Sequence, residues 1–119
     1  PTYMFDDKIT TAKGFYQFLD QTIEENNRYT LQFAWKGKGN GGHIICVDRL
    51  ETGSLRLYDP QTGEAYTGNS IVNYLKEFKY QVTRQGIKIP CPPKVLRVDD
   101  KEFNIDVVNN IMKEVTNGK

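Results

Sequence analysis

The chain holds one histidine, His43, and two cysteines, Cys46 and Cys91, so chemistry that needs an imidazole or a thiol is confined to three positions. His43 opens the run His-Ile-Ile-Cys-Val-Asp, which reads as a buried strand, and Ser54 to Asp59 reads as its antiparallel return. A turn between Arg49 and Gly53, centred on Glu51, sets Val47 opposite Leu55, Ile45 opposite Leu57 and His43 opposite Asp59. All of these side chains then share one face, because strand side chains alternate with a period of two. Directly opposed residues have Cβ atoms about 5 Å apart, close enough for an imidazole and a carboxylate to hydrogen-bond. Such a carboxylate fixes the imidazole tautomer and stabilises the imidazolium formed when a thiol surrenders its proton. Geometry of this kind also describes a satisfied polar contact at the end of a sheet, so pairing by itself leaves both roles open.

Neither cysteine is placed to be that thiol. Cys46 lies three residues after His43 on the same strand, points to the opposite face and reads as a small core residue. Cys91, in Pro90-Cys91-Pro92-Pro93, falls on no predicted helix, and nothing local lowers its pKa. One histidine and two scattered cysteines match no zinc spacing. The loop Gly37 to Gly42 is followed by a strand rather than a helix, which excludes a phosphate-binding loop. No cofactor is expected.

The elements that must position these residues follow from periodicity. Ala12, Phe15, Tyr16, Leu19 and Ile23 give a helical stripe capped by Thr10 or Thr11 and stopped at Asn26-Asn27. Tyr29, Leu31, Phe33 and Trp35 alternate as a half-buried strand, and these aromatics read as core or sheet face rather than as a binding platform. Pro60 to Gly68 reads as irregular. Ser70 is expected to cap a short helix whose apolar face is Ile71, Val72, Leu75 and Phe78. A broken β pattern from Tyr80, interrupted by Gly86 and three prolines, leads to a last strand at Val95–Val98. Ile105, Val108, Met112 and Val115 mark a C-terminal helix capped by Asn104 or Asp100. The expected class is α+β: an antiparallel sheet with flanking helices in one domain spanning residues 1–119.

Composition is that of a globular domain, 38% hydrophobic and 26% charged, with a net charge of +1. That balance supplies no general field for nucleic acid or an anionic membrane, and neither is expected as a partner. No apolar run reaches membrane-spanning length, and the first residues lack the pattern of a signal peptide.

Gly-Gly-His43-Ile-Ile-Cys-Val, followed by Gly53-Ser-Leu-Arg-Leu-Tyr-Asp59-Pro60-Gln61-Thr-Gly63, resembles the papain-fold toxin domains of bacterial polymorphic toxins and some phage head proteins. Leu96-Arg97-Val98-Asp99-Asp100 followed by Phe103-Asn104 is similar to the C-terminal segment of that family, so the resemblance runs from about Phe15 to Asn104. It implies a papain-like fold and a cysteine hydrolase, either a glutamine deamidase or a protease, acting on a protein. It further implies His43 as base, Asp59 as orienting group and Gln61 as a residue that helps order the site. A protein substrate or partner, such as an immunity protein, is the implied company. In that family the nucleophilic cysteine comes from an earlier helix, and here no cysteine precedes Cys46. Two explanations follow. Either the nucleophile helix lies upstream of Pro1, a start without methionine being the hint, or the domain has lost catalysis and is kept for binding.

Overall fold

A computed structural model describes residues 2–37 and 41–98 of the chain. Helix α1 spans Ala12–Thr22, followed by strands β1 (Tyr29–Ala34), β2 (Gly42–Arg49), β3 (Leu55–Tyr58) and β4 (Ala65–Thr67). Helix α2 (Asn69–Leu75) and strands β5 (Gln81–Arg84), β6 (Ile87–Pro90) and β7 (Lys94–Arg97) complete the order. The main sheet is antiparallel with strand order β4-β3-β2-β1-β7, and β5-β6 form a separate two-stranded sheet. The fold is α+β. The predicted C-terminal helix, with Ile105, Val108, Met112 and Val115 and its caps at Asn104 or Asp100, lies outside the described residues, as do Asp99 and Phe103.

One sheet face carries the core. Tyr29, Leu31 and Phe33 of β1, Ile45 and Val47 of β2, Leu55 and Leu57 of β3 and Val95 of β7 are all buried against Ala12, Phe15, Leu19, Ile71 and Leu75 of the two helices. Burying each large aliphatic or aromatic side chain contributes about 1.5–3 kcal/mol, so this alternation sets which face of every strand points inward. Thr11 caps α1 by accepting a hydrogen bond from the Gly14 amide at 3.0 Å. A Cβ at Gly14 would stand 3.1 Å from that Thr11 hydroxyl, which explains a glycine in the first turn.

The β2–β3 register differs from the sequence expectation by two residues. Val47 faces Leu57 and Arg49 faces Leu55, rather than Val47 facing Leu55. The turn is the reason. Gly53 adopts φ +88, a left-handed conformation that favours glycine, so it belongs to the loop and not to the closing pair. Leu50 and Ser54 close the hairpin instead, with Leu50 N–H donating to the Ser54 carbonyl at 2.9 Å and Gly53 N–H to the Leu50 carbonyl at 2.8 Å. Because the shift is even, every residue keeps its face.

Three further expectations are corrected. Ser70 does not cap α2: Gly68 stands at the cap position, and the Ser70 hydroxyl bonds back to the Thr67 backbone from inside the first turn. Phe78 lies past the end of α2, in a bridge to Trp35. The irregular stretch after Pro60 contains β4, because Asp59 and Glu64 pair across a tight turn. The broken β pattern expected from Tyr80 is present as the β5–β6 hairpin, turned by Gln85 and Gly86 at positive φ.

Arg49 ties the helix to the hairpin. Its guanidinium donates to the Ile23 carbonyl at 2.6 Å, the Asp20 carbonyl at 2.6 Å and the Gly53 carbonyl at 2.8 Å. A cation on the last-turn carbonyls of α1 also complements the helix dipole. Arg49→Ala should destabilise the chain by roughly 2 kcal/mol in urea unfolding, since it strands half-buried carbonyls. Arg49→Lys should recover under half of that loss, because one ammonium cannot span three carbonyls.

Candidate active site

His43 and Asp59 meet. The Nε2 atom of His43 lies 2.7 Å from Oδ2 of Asp59, and the two residues are only 8% and 5% exposed. They are not directly opposed, as expected from sequence, but diagonal: the two-residue shift sets Asp59 beside Ile45, and the ring reaches across to it. Diagonal partners remain within reach of long and aromatic side chains. On its other side His43 pairs through β1 with Phe33.

The Asp-Pro-Gln run explains why the carboxylate holds still. Oδ1 of Asp59 accepts the Gln61 amide N–H at 2.8 Å, an Asx turn around a proline that has no N–H of its own. The Asp59 backbone is held as well, donating to Glu64 and accepting from Gly63. One carboxylate oxygen is thereby engaged by its own turn, and the other faces His43. Gln61 contacts Asp59 through its backbone N–H, while its side chain is exposed.

An ionised carboxylate only accepts hydrogen bonds, so the neutral imidazole that it holds carries its proton on Nε2. Nδ1 is then the unprotonated, basic nitrogen. The ring plane is fixed by aromatic neighbours: Trp35 stacks on it at 5.7 Å and 24°, and Phe33 stands edge-on at 5.8 Å and 85°. Tyr29 and Phe33 are buried in the core as the sequence suggests, and half-buried Trp35 packs against that core while its ring lies beside His43.

The aromatic wall continues through Tyr74, which is edge-on to both Trp35 and Phe33 and stacked on Tyr66 at 4.3 Å. Tyr66 donates to Glu64 at 2.6 Å, and that bond, ahead of burial, pushes its phenol up to about 12. The Tyr74 hydroxyl is buried and has no hydrogen-bond partner among the described residues. An unpaired buried hydroxyl costs on the order of 1–3 kcal/mol. Burial first, then the negative charge of Asp59, raises the Tyr74 phenol well above its ordinary value, so it stays protonated. Sequence reading missed Tyr74, although it lies three residues after Ile71 in the expected short helix.

Neither thiol joins the pair. Cys46 sits on the opposite sheet face, facing Thr30 and Tyr58 across its two neighbouring strands. Burial, with Asp48 and Asp59 adding to it, pushes its thiol up to about 12. Cys91 is held by its amide on the Tyr80 carbonyl, and the chain then runs into β7, which lies across β1 from His43. No group of three or more His, Cys, Asp or Glu side chains among the described residues could hold a metal ion. No helix among them is long and apolar enough to cross a membrane. No family model matches the chain, and no curated protein matches it either.

With its thiol at about 12, Cys46 holds a thiolate fraction on the order of 10⁻⁴ at pH 8. Iodoacetamide should therefore alkylate Cys46 in the folded chain far more slowly than after unfolding, and His43→Ala should not change that rate. Peptide mapping by mass spectrometry after timed labelling reads both.

Proposed function

We propose that this chain supplies the base and the orienting carboxylate of a papain-like cysteine hydrolase acting on a protein, as a glutamine deamidase or a peptidase. The observation that carries the reading is the 2.7 Å contact from Asp59 to Nε2 of His43, which leaves Nδ1 as the basic nitrogen. The Asx turn and the stacked Trp35 support it, because a base must be held in one orientation to accept a proton efficiently.

In this mechanism Nδ1 of His43 takes the proton of a thiol, and the sulfur attacks the carbonyl carbon of an amide. The carbon–nitrogen bond breaks, the imidazolium returns its proton to the leaving ammonia or amine, and a thioester remains. Water, deprotonated by the same nitrogen, then attacks the thioester, and the carbon–sulfur bond breaks to restore the thiol. Asp59 stabilises the imidazolium in both halves without taking a proton itself. The positions of Cys46 and Cys91 favour a thiol supplied from beyond these residues, by another segment of a longer protein. No cofactor is required.

Near-complete burial of His43 and Asp59 favours a second reading, a papain-fold module without catalysis that binds a partner such as an immunity protein. Activity separates the two. In the protein carrying the thiol, His43→Ala and the cysteine-to-alanine variant should each abolish turnover of a glutamine-containing protein, with losses that do not add. Asp59→Ala should cost roughly a thousandfold or more yet leave a remnant, and Gln61→Ala, which keeps the backbone amide, should cost severalfold at most. Mass spectrometry reads the products as a one-dalton gain or a chain cleavage. Full activity in His43→Ala would sink the mechanism.

A further inference from the structure

The β5–β6 hairpin has a fixed root and an exposed blade. At the root Tyr80 is buried, its hydroxyl donates to the Leu75 carbonyl at 2.7 Å, and its own carbonyl accepts the Cys91 N–H at 2.8 Å. Beyond that point every residue of both strands is exposed except Val82, which is half-buried. Val82 faces Ile89 and Arg84 faces Ile87 across the strands, so one face gathers three β-branched aliphatic side chains and a guanidinium. Ile87 is 65% exposed, more than any other large apolar side chain among the described residues, and Ile89 is 40% exposed. A two-stranded hairpin is marginal in water by itself, and a third strand is what ordinarily stabilises one.

The backbone shows where a third strand fits. Closure at Tyr80 and Cys91, with the alternation of an antiparallel ladder, makes Val82–Ile89 and Arg84–Ile87 the hydrogen-bonded pairs. Gln81 and Thr83 therefore turn their N–H and C=O groups outward on β5, while Lys88 and Pro90 occupy the outward positions on β6. Proline has no N–H, which blunts the β6 edge. The β5 edge keeps both of its donors and has no strand beside it among the described residues.

We propose that β5 is the docking edge for an extended, acidic segment of a partner protein. The segment adds to the hairpin as a third strand, its apolar side chains continuing the face of Val82, Ile87 and Ile89. Charge selects this occupant. From residue 78 to residue 98 the chain carries Lys79, Arg84, Lys88, Lys94 and Arg97 and no Asp or Glu, a local excess that the net charge of +1 conceals. A second copy pairing edge to edge would bring Arg84 and Lys88 towards their own counterparts, whereas an acidic strand is attracted by both. Nucleic acid is anionic too, but Gln81 to Pro90 includes no aromatic ring on which a base could stack, and the exposed face offers isoleucines instead. Nothing in this surface depends on His43 acting as a base.

The probe is an acetylated, amidated heptapeptide alternating valine and glutamate, titrated into the 15N-labelled 119-residue chain. Binding should saturate, with the largest amide shifts at Gln81, Val82 and Thr83 and slowed hydrogen exchange at the Gln81 and Thr83 N–H groups. The counterpart with lysine for glutamate should bind at least roughly tenfold more weakly, and added salt should weaken the glutamate peptide severalfold. N-methylation throughout the peptide removes strand pairing and should abolish binding. Ile87→Thr with Ile89→Thr should cost roughly fivefold in affinity, and Arg84→Gln with Lys88→Gln about as much, neither moving thermal unfolding. If a variant does not fold, the preference of the unaltered chain for the glutamate peptide over the lysine and N-methylated ones carries the test. Absence of saturation, equal binding of either control peptide, or full affinity in either double variant overturns the assignment. Self-association abolished by Ile87→Thr with Ile89→Thr would overturn it in favour of a second copy. Tighter binding of oligothymidylate than of the glutamate peptide at this hairpin would overturn it in favour of nucleic acid.

Discussion

The Asp59 carboxylate is the joint on which the site depends. One of its oxygens is engaged by the Gln61 amide, the other by His43, and its backbone is clamped between Gly63 and Glu64. A carboxylate with a single partner would rotate, and the imidazole would follow it. With one oxygen satisfied locally, the second has a direction set by the turn rather than by the histidine. The two residues after Asp59 thus help to fix its carboxylate although neither offers an ionisable side chain.

The sheet sets the rest. His43 and Asp59 stand on the face that carries the hydrophobic core, at its end, where Ile45, Val47 and Leu57 give way to polar groups walled by Phe33 and Trp35. The pair is consequently shielded from water, which strengthens its hydrogen bond and makes an unpaired partner costly. Arg49, at the far end of β2, holds the C-terminal end of α1 against the same hairpin, so helix and strand are fixed relative to each other. His43 stands on β2 and Asp59 directly follows β3, so the strands together with the turn after Asp59 fix the pair.

Much of this was legible in the residues. Alternation in β1, β2 and β3 named the core face, and the period of two put His43 and Asp59 on it. The exact register was not legible, because it depends on whether Gly53 closes the hairpin or sits in its loop, and glycine permits both. That error was harmless only because it was even: a slip of one residue would have sent His43 to the face of Cys46. The Asx turn was hidden for a different reason. Asp-Pro-Gln signals a turn, but which oxygen bonds to which amide is set by side-chain rotation. Trp35, read as core or sheet face, does pack against the core, but its second contact with the His43 ring, like the place of Tyr74 beside it, is set by packing that periodicity does not show.

The direct test of this account is the protonation of the His43 ring, read from the ring nitrogen resonances of the 15N-labelled chain above the pH at which the imidazole titrates. With one histidine in the sequence the assignment is unambiguous. The geometry predicts a neutral ring protonated at Nε2 and bare at Nδ1, and a mixture of tautomers once Asp59 is changed to Ala. A ring protonated at Nδ1, or a tautomer indifferent to Asp59→Ala, would contradict it.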